Sequence, residues 1–262
     1  MRKRAFIWLV ATGLFFVLPA YAAAQKMPMT DKVGKGQVLV SYLEGKAEVL
    51  PKGERGWYVL KLNDVLRSGD EVSVGKQSRL EITLPDQSKL RFADVTRFRI
   101  LQVSEGETED FKVHLAVGRT WANIAKALGL KRKYEISCEN AVAGVRGTVY
   151  RMNVNEDKSA LVRVYDGEVA VSSPPKPMDK GEHVFGKQPT RIEGPKRVPG
   201  PHKITMEEWT VLLRSMQQIS IRADGVADKP REFTEQEDRD EWVDWNKERD
   251  NEDRQQATGK DS

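Results

Sequence analysis

From Gly36 onward the chain alternates apolar and polar positions in short runs divided by turn residues, the period-two pattern of half-buried strands. The first runs are Val38-Leu39-Val40, Ala47-Glu48-Val49-Leu50 and Trp57-Tyr58-Val59-Leu60, with Glu44-Gly45 and Ser68-Gly69-Asp70 as turns. Glu71-Val72-Ser73-Val74 and Arg79 to Leu84 follow; in the latter Leu80, Ile82 and Leu84 point one way and Glu81 and Thr83 the other. After the turn at Pro85-Asp86, Leu90 and Phe92 share an apolar face and Lys89 and Arg91 a polar one. Phe111 to Val117 predicts another strand, closed by Gly118. From Thr148 the alternation resumes, with Tyr150, Met152 and Val154 on one face and Arg151 and Asn153 on the other. Leu161 to Tyr165 and Glu168 to Val171 predict a hairpin across Asp166-Gly167.

Two stretches change period. Trp121, Ile124, Ala125 and Leu128 follow helical spacing, with Gly129 as a stop, and predict a short helical turn. Thr205-Met206-Glu207-Glu208 has capping-box form, and Ile204 with Trp209 forms a hydrophobic staple. Trp209, Leu212, Leu213 and Met216 then fall on one face, which predicts a helix over 205–218 within an amphipathic element at 204–222. Either the β domain or a second chain would bury that face. Residues 173–203, rich in proline, glycine and lysine, read as a linker, and Pro174-Pro175 ends the β domain at 172.

Composition adds an export signal and a charge asymmetry. Arg2-Lys3-Arg4, the apolar Ala5 to Leu18 and the small residues of Ala20-Tyr21-Ala22 or Ala22-Ala23-Ala24 form a secretory leader over 1–24. Its apolar run of about 14 residues falls short of the ~20 that a membrane span needs, so no span is expected after cleavage. The formal charge of +4 falls to +1 once those three cations leave (4 − 3), which gives no argument for nucleic acid. Residues 231–262 hold 12 acidic and 6 basic side chains, a net of −6, so the rest of the mature chain carries about +7. The segment 229–262 has few apolar residues, among them Phe233, Trp242, Val243 and Trp245, and is expected to be a solvated, disordered tail. The alternative is a tail that folds on a basic partner with Trp242 and Trp245 as anchors. The lone Cys138 excludes an intramolecular disulfide and reads as a small buried residue, with intermolecular pairing or a reactive thiol as the other roles.

The chain is organised around residues 141–154, where Gly144 and Gly147 flank Arg146 and lead into the strand from Thr148. The run Val-Ala-Gly-Val-Arg-Gly-Thr at 142–148 resembles the signature of the FecR domain family, a periplasmic β-domain family, and Val162 to Val171 resembles the segment that follows it there. Upstream, Trp57, Leu66-Arg67-Ser68-Gly69-Asp70 and the strands from Leu80 to Phe92 are similar to family features in the same order, with Asp86-Gln87-Ser88 in place of the usual Asp-Gly-Ser turn. The likeness covers about 35–172. It implies an exported, non-enzymatic binding or scaffolding module of the cell envelope; the rival reading is signalling, because proteins named for this domain regulate sigma factors through a cytoplasmic helical segment, a membrane span and the periplasmic domain.

Candidate chemistry is sparse. His114, His183 and His202 lack metal-ligand spacing, and Gly144-Val145-Arg146-Gly147 lacks the lysine and the strand-to-helix setting of a phosphate loop. The signature turn Gly144, Arg146, Gly147 and Thr148 is read as structural, with Arg146 either tying strand carbonyls or meeting an anionic ligand. Trp209, Trp242 and Trp245 are the candidate partner-binding residues. No catalytic residue, metal or cofactor is expected. The sequence thus predicts a periplasmic or secreted, mostly β protein, a sandwich or roll of short strands or else a short β-solenoid, with one C-terminal amphipathic helix and an acidic tail. Its function would be binding or scaffolding through an unspecified envelope protein or polymer, with sigma-factor signalling as the alternative and a polymer hydrolase third.

Overall fold

The computed structural model describes residues 36–104, 110–126, 133–145, 147–175 and 209–258. Strands come first: β1 (Gln37–Glu44), β2 (Ala47–Leu50), β3 (Tyr58–Val59), β4 (Val65–Arg67), β5 (Glu71–Val74), β6 (Arg79–Thr83), β7 (Lys89–Phe92) and β8 (Arg97–Val103). Then follow β9 (Asp110–Asn123), β10 (Lys133–Ser137), β11 (Val142–Val145), β12 (Val149–Val154), β13 (Ala160–Asp166) and β14 (Glu168–Ser172). The chain closes with β15 (Thr210–Arg214), β16 (Gln217–Ile221), β17 (Arg231–Glu232) and the helix α1 (Glu241–Thr258).

The pairings resolve into two layers. One layer runs β4-β1-β6-β7-β9-β12-β13-β16-β17. The other runs β3-β2-β5-β8-β9-β10-β11-β14-β15. Every pairing is antiparallel except β9 with β10. A solenoid would stack sequential parallel neighbours, so these registers favour the sandwich-like form. Strand β9 serves both layers: its first half pairs β8 and its second half β7 and β12. The bend lies at Gly118, whose φ is +109° and where a Cβ would stand 2.6 Å from the Thr96 Cα, so only glycine fits.

Alternation explains the core. Inward residues of the first layer (Val40, Ile82, Phe92, Tyr150, Met152, Val162) meet those of the second (Val49, Val72, Phe98, Val113, Ile136, Val171) in one continuous cluster. Phe92 and Phe98 stack across it at 3.7 Å. Each passage of the chain from one layer to the other within the described residues carries a residue of positive φ: Gly45, Asn63, Gly69, Gln77, Val95, Gly118, Gly147, Gly167 and Met216. These corners carry the chain between layers, while antiparallel pairs of successive strands such as β6–β7, β10–β11 and β12–β13 extend each layer.

Several expectations are corrected. Asp166-Gly167 is one of these corners and not a hairpin, since β13 pairs β12 and β16 while β14 pairs β11 and β15. The hairpin lies one strand earlier, where the Asn155 amide donates to the Ser159 carbonyl between β12 and β13. Trp121 sits in strand β9 rather than a helical turn, because β7 and β12 supply hydrogen bonds on both sides. Residues 210–221 form β15 and β16 instead of the predicted helix. Trp209, Val211 and Leu213 also carry strand alternation, and the open edges of β14 and β13 hydrogen-bond that form. The capping-box residues 205–208 lie outside the described residues, as do 1–35 and most of the linker. Helix α1 instead arises from the segment expected to be solvated, and it packs with Trp242 and Val243 buried. Cys138 is free and buried in the main core, and burial pushes its thiol pKa up.

Candidate interaction face

Because core residues take alternate positions, the residues between them line the outer face of the first layer. One cross-strand row there reads Tyr42, Glu81, Arg91, Trp121, Arg151, Arg163, Gln218 and Arg231. Glu81, Arg91, Trp121, Arg151 and Gln218 are buried although they point away from the core. What buries them is the C-terminal segment 233–258, hereafter the strap, made of an extended stretch and α1.

Local sequence explains the helix. Asp240 caps it, its Oδ1 accepting from the Val243 amide at 2.8 Å, and Glu241 and Asp244 place negative charge in the first turn, where the helix dipole favours it. Its apolar face is only Trp242 and Val243, with Trp245 at the margin, packed on Ala93, Trp121 and Val149.

Two carboxylates anchor the strap. Asp250 accepts from Arg91 Nη1 at 2.6 Å and Asn123 Nδ2 at 2.8 Å through one oxygen, and from Trp121 Nε1 at 2.9 Å through the other. Asp238 accepts from Arg151, from Arg163 and from the Tyr165 hydroxyl. Arg91, fully buried, also meets Glu81 at 2.6 Å and Asp253 at 3.0 Å, while Arg249 of the strap reaches back to Glu81 at 3.3 Å. At the margins Arg79 pairs with Glu241, Arg119 with Asp240 and Lys89 with Asp253. Trp245 lies among Tyr42 and the guanidinium groups of Arg79, Arg91 and Arg249, the last three 5.1, 6.0 and 5.3 Å from its ring.

The electrostatics follow from burial and pairing. Burial alone would raise the Glu81 pKa, but Arg91 and the hydrogen bonds from Arg91 and Ser41 hold it below the ordinary carboxylate value. Burial works against the Arg91 cation, and Asp250 and Glu81 more than offset it. For Arg151, too, burial is outweighed, chiefly by its hydrogen bond to Asp238. Burial, the largest effect, keeps the Tyr165 hydroxyl protonated, with Arg151 opposing and Asp238 reinforcing. These groups are charge anchors, each carboxylate tied to a guanidinium. A cleft of about 460 Å³ opens beside the N-terminus of α1, between Arg79 and Arg119, and has mixed charge with Glu44, Asp94 and Glu241 on its walls.

The predicted residues scatter. Trp242 and Trp245 belong to this face, but Trp209 lies away from it, against the main core, with its Nε1 donating to the Gly225 carbonyl at 3.2 Å. Gly144 sits in β11 on the second layer, where a Cβ would meet only the Ala170 carbonyl oxygen at 4.0 Å. Gly147 forms a corner at φ +66°, which sets the phase of β12 so that Tyr150 and Met152 point inward and Arg151 outward. Thr148 is buried beside it, and its carbonyl accepts from the Ile124 amide at 2.9 Å. Arg146 lies outside the described residues. Sequence reasoning missed Arg91, Arg163, Asp238 and Asp250 as partners. The available signal was a lone arginine on the polar side of several successive strands opposite an acidic, tryptophan-bearing tail.

His114, in β9, is held below its ordinary pKa by burial and then by Arg99; His183 and His202 lie outside the described residues. Among the described residues no group of three or more His, Cys, Asp or Glu is placed to hold a metal, and no helix is long and apolar enough to cross a membrane.

Residues 70–170 match the model of the family described as FecR protein. The resemblance read from the signature therefore holds over β5 to β14, across both layers, while the strap lies beyond the matched residues. Two solved structures of a candidate anti-sigma factor from Parabacteroides distasonis ATCC 8503 are similar at 16% identity and a TM-score of 0.42, over 62% of this chain. The chain spans 59% of the length of those solved chains. No curated protein matches the chain.

Proposed function

We propose that this protein is a non-catalytic recognition module of the cell envelope that serves signal transduction related to sigma-factor regulation. The observation that carries the reading is the FecR match over residues 70–170, since proteins named for this domain couple the periplasm to transcription. The leader-like pattern at 1–24 supports a periplasmic setting. The chemistry of the described face supports recognition over turnover: Glu81, Asp238 and Asp250 spend their lone pairs on guanidinium and indole donors, which suits holding a surface rather than moving protons.

The test is a strain lacking the protein, complemented with the full chain. A defined set of co-regulated transcripts should shift on deletion and return on complementation, with the chain recovered from the periplasmic fraction. Unchanged transcripts, or steady release of product from peptidoglycan, polysaccharide or peptide by the purified chain, would overturn the reading.

A further inference from the structure

The first layer's outer face is charged in a way its own sheet cannot satisfy. Arg79, Lys89, Arg91, Arg119, Arg151 and Arg163 project from it against the sheet carboxylates of Glu81 and, at the margin beside Arg79, Glu44, and all six take a strap carboxylate as partner. The strap supplies ten acidic and four basic side chains, a net of −6. Its contact sets one small apolar patch, Trp242 and Val243 on Ala93, Trp121 and Val149, among many ion pairs, and three buried atoms at it, Gln218 Nε2, Trp242 Nε1 and Asn246 Oδ1, have no hydrogen-bond partner among the described residues.

Such a contact is weaker than its list of ion pairs suggests. Desolvating paired charges roughly offsets their attraction, whereas losing one partner strands the other. Each unpartnered polar atom subtracts further. The strap also follows the short β17 and lies outside the FecR match, while the main core is complete between the layers without it.

We propose that this basic face is the docking surface for an acidic helical segment of a partner protein, one carrying two aromatic residues three apart as Trp242 and Trp245 are, and that the strap is its resident mimic. The strap then acts as an intramolecular inhibitor: a partner gains the face only as the strap leaves it, so the apparent affinity is the intrinsic one reduced by the open fraction. The proposal rests on the reading of the protein as a recognition module and names the partner chemistry of that face.

Hydrogen exchange on the full chain is the first measurement. Amides of 241–258 should exchange through a local opening at least about tenfold faster than those of β12 and β13, and faster still as salt rises. Equal protection of strap and β12 at every salt concentration would place the strap in the cooperative core and overturn the proposal. The second measurement uses a labelled peptide of residues 229–258 as the probe, added to the full chain and to its Asp250→Asn variant. The variant should bind the peptide about tenfold more tightly than wild type, and Arg119→Gln in the variant should weaken it. No gain in a folded variant, equal binding of dextran sulfate, or exchange of straps between copies to give a dimer would each overturn it. A regulatory partner that stays bound while the peptide occupies the face would also overturn it, yet leave the recognition-module reading intact.

Discussion

At the scale of single residues, Asp238 shows how one carboxylate organises three donors. It sits buried beneath Arg151, Arg163 and Tyr165, so Asp238→Ala leaves two guanidinium groups facing each other without a counter-charge. Urea denaturation should find a loss of about 3–5 kcal/mol, in the range for breaking one side of a buried pair. The glycines give a contrasting pair. Gly118→Ala forces a side chain into positive φ and onto the Thr96 backbone, a loss of at least about 1–3 kcal/mol by the same measurement. Gly144→Ala has open space and an ordinary backbone, so it should change stability by less than about 0.5 kcal/mol. A large loss at Gly144 would show that its contacts extend beyond those described.

At the scale of elements, the contest between helix and strand at 210–221 was decided by neighbours. Val211 and Leu213 face the core and Leu212 is exposed, which is strand alternation, and the edges of β14 and β13 supplied the hydrogen bonds. The strap went the other way. An isolated 18-residue helix so rich in like charge is marginal in water, and here the guanidinium groups of the sheet neutralise it. Truncation at Asp228 should accordingly uncover Trp121 and Val149 without dissolving the main cluster. The truncated chain is expected to keep its β circular dichroism, melt several degrees lower and bind a hydrophobic dye. Complete unfolding would mean that the strap is required for the two layers to hold.

At the scale of the whole molecule, acid should loosen the fold in two stages. His114 is held below its ordinary 6.5, so its neutral form is the folded one; this contribution is full above pH 6.5 and is lost as pH falls below that value. Glu81 is held below 4.5, so its contribution is full above pH 4.5 and is lost as pH falls through the lower folded value. Urea midpoints measured from pH 8 to pH 3 should therefore fall toward acid, and His114→Gln should remove the first stage while leaving the second.

What the sequence determined by itself is what short-range pattern controls. Period-two alternation placed Leu80, Ile82, Phe92, Tyr150 and Met152 inward and Glu81, Arg91 and Arg151 outward, and the layers confirm each. The Val142 to Thr148 signature identified the FecR likeness that the match over 70–170 bears out. Tertiary structure alone decided whether Gly167 turned a strand back or passed it to the other layer, because both uses need the same positive φ and differ only in which edge is open. It alone decided the fate of the tail. Its composition offers too little apolar surface to order on its own, but composition is blind to a row of arginines drawn from strands far apart in the chain and brought into one register, and that row gives the carboxylates of 233–258 their partners.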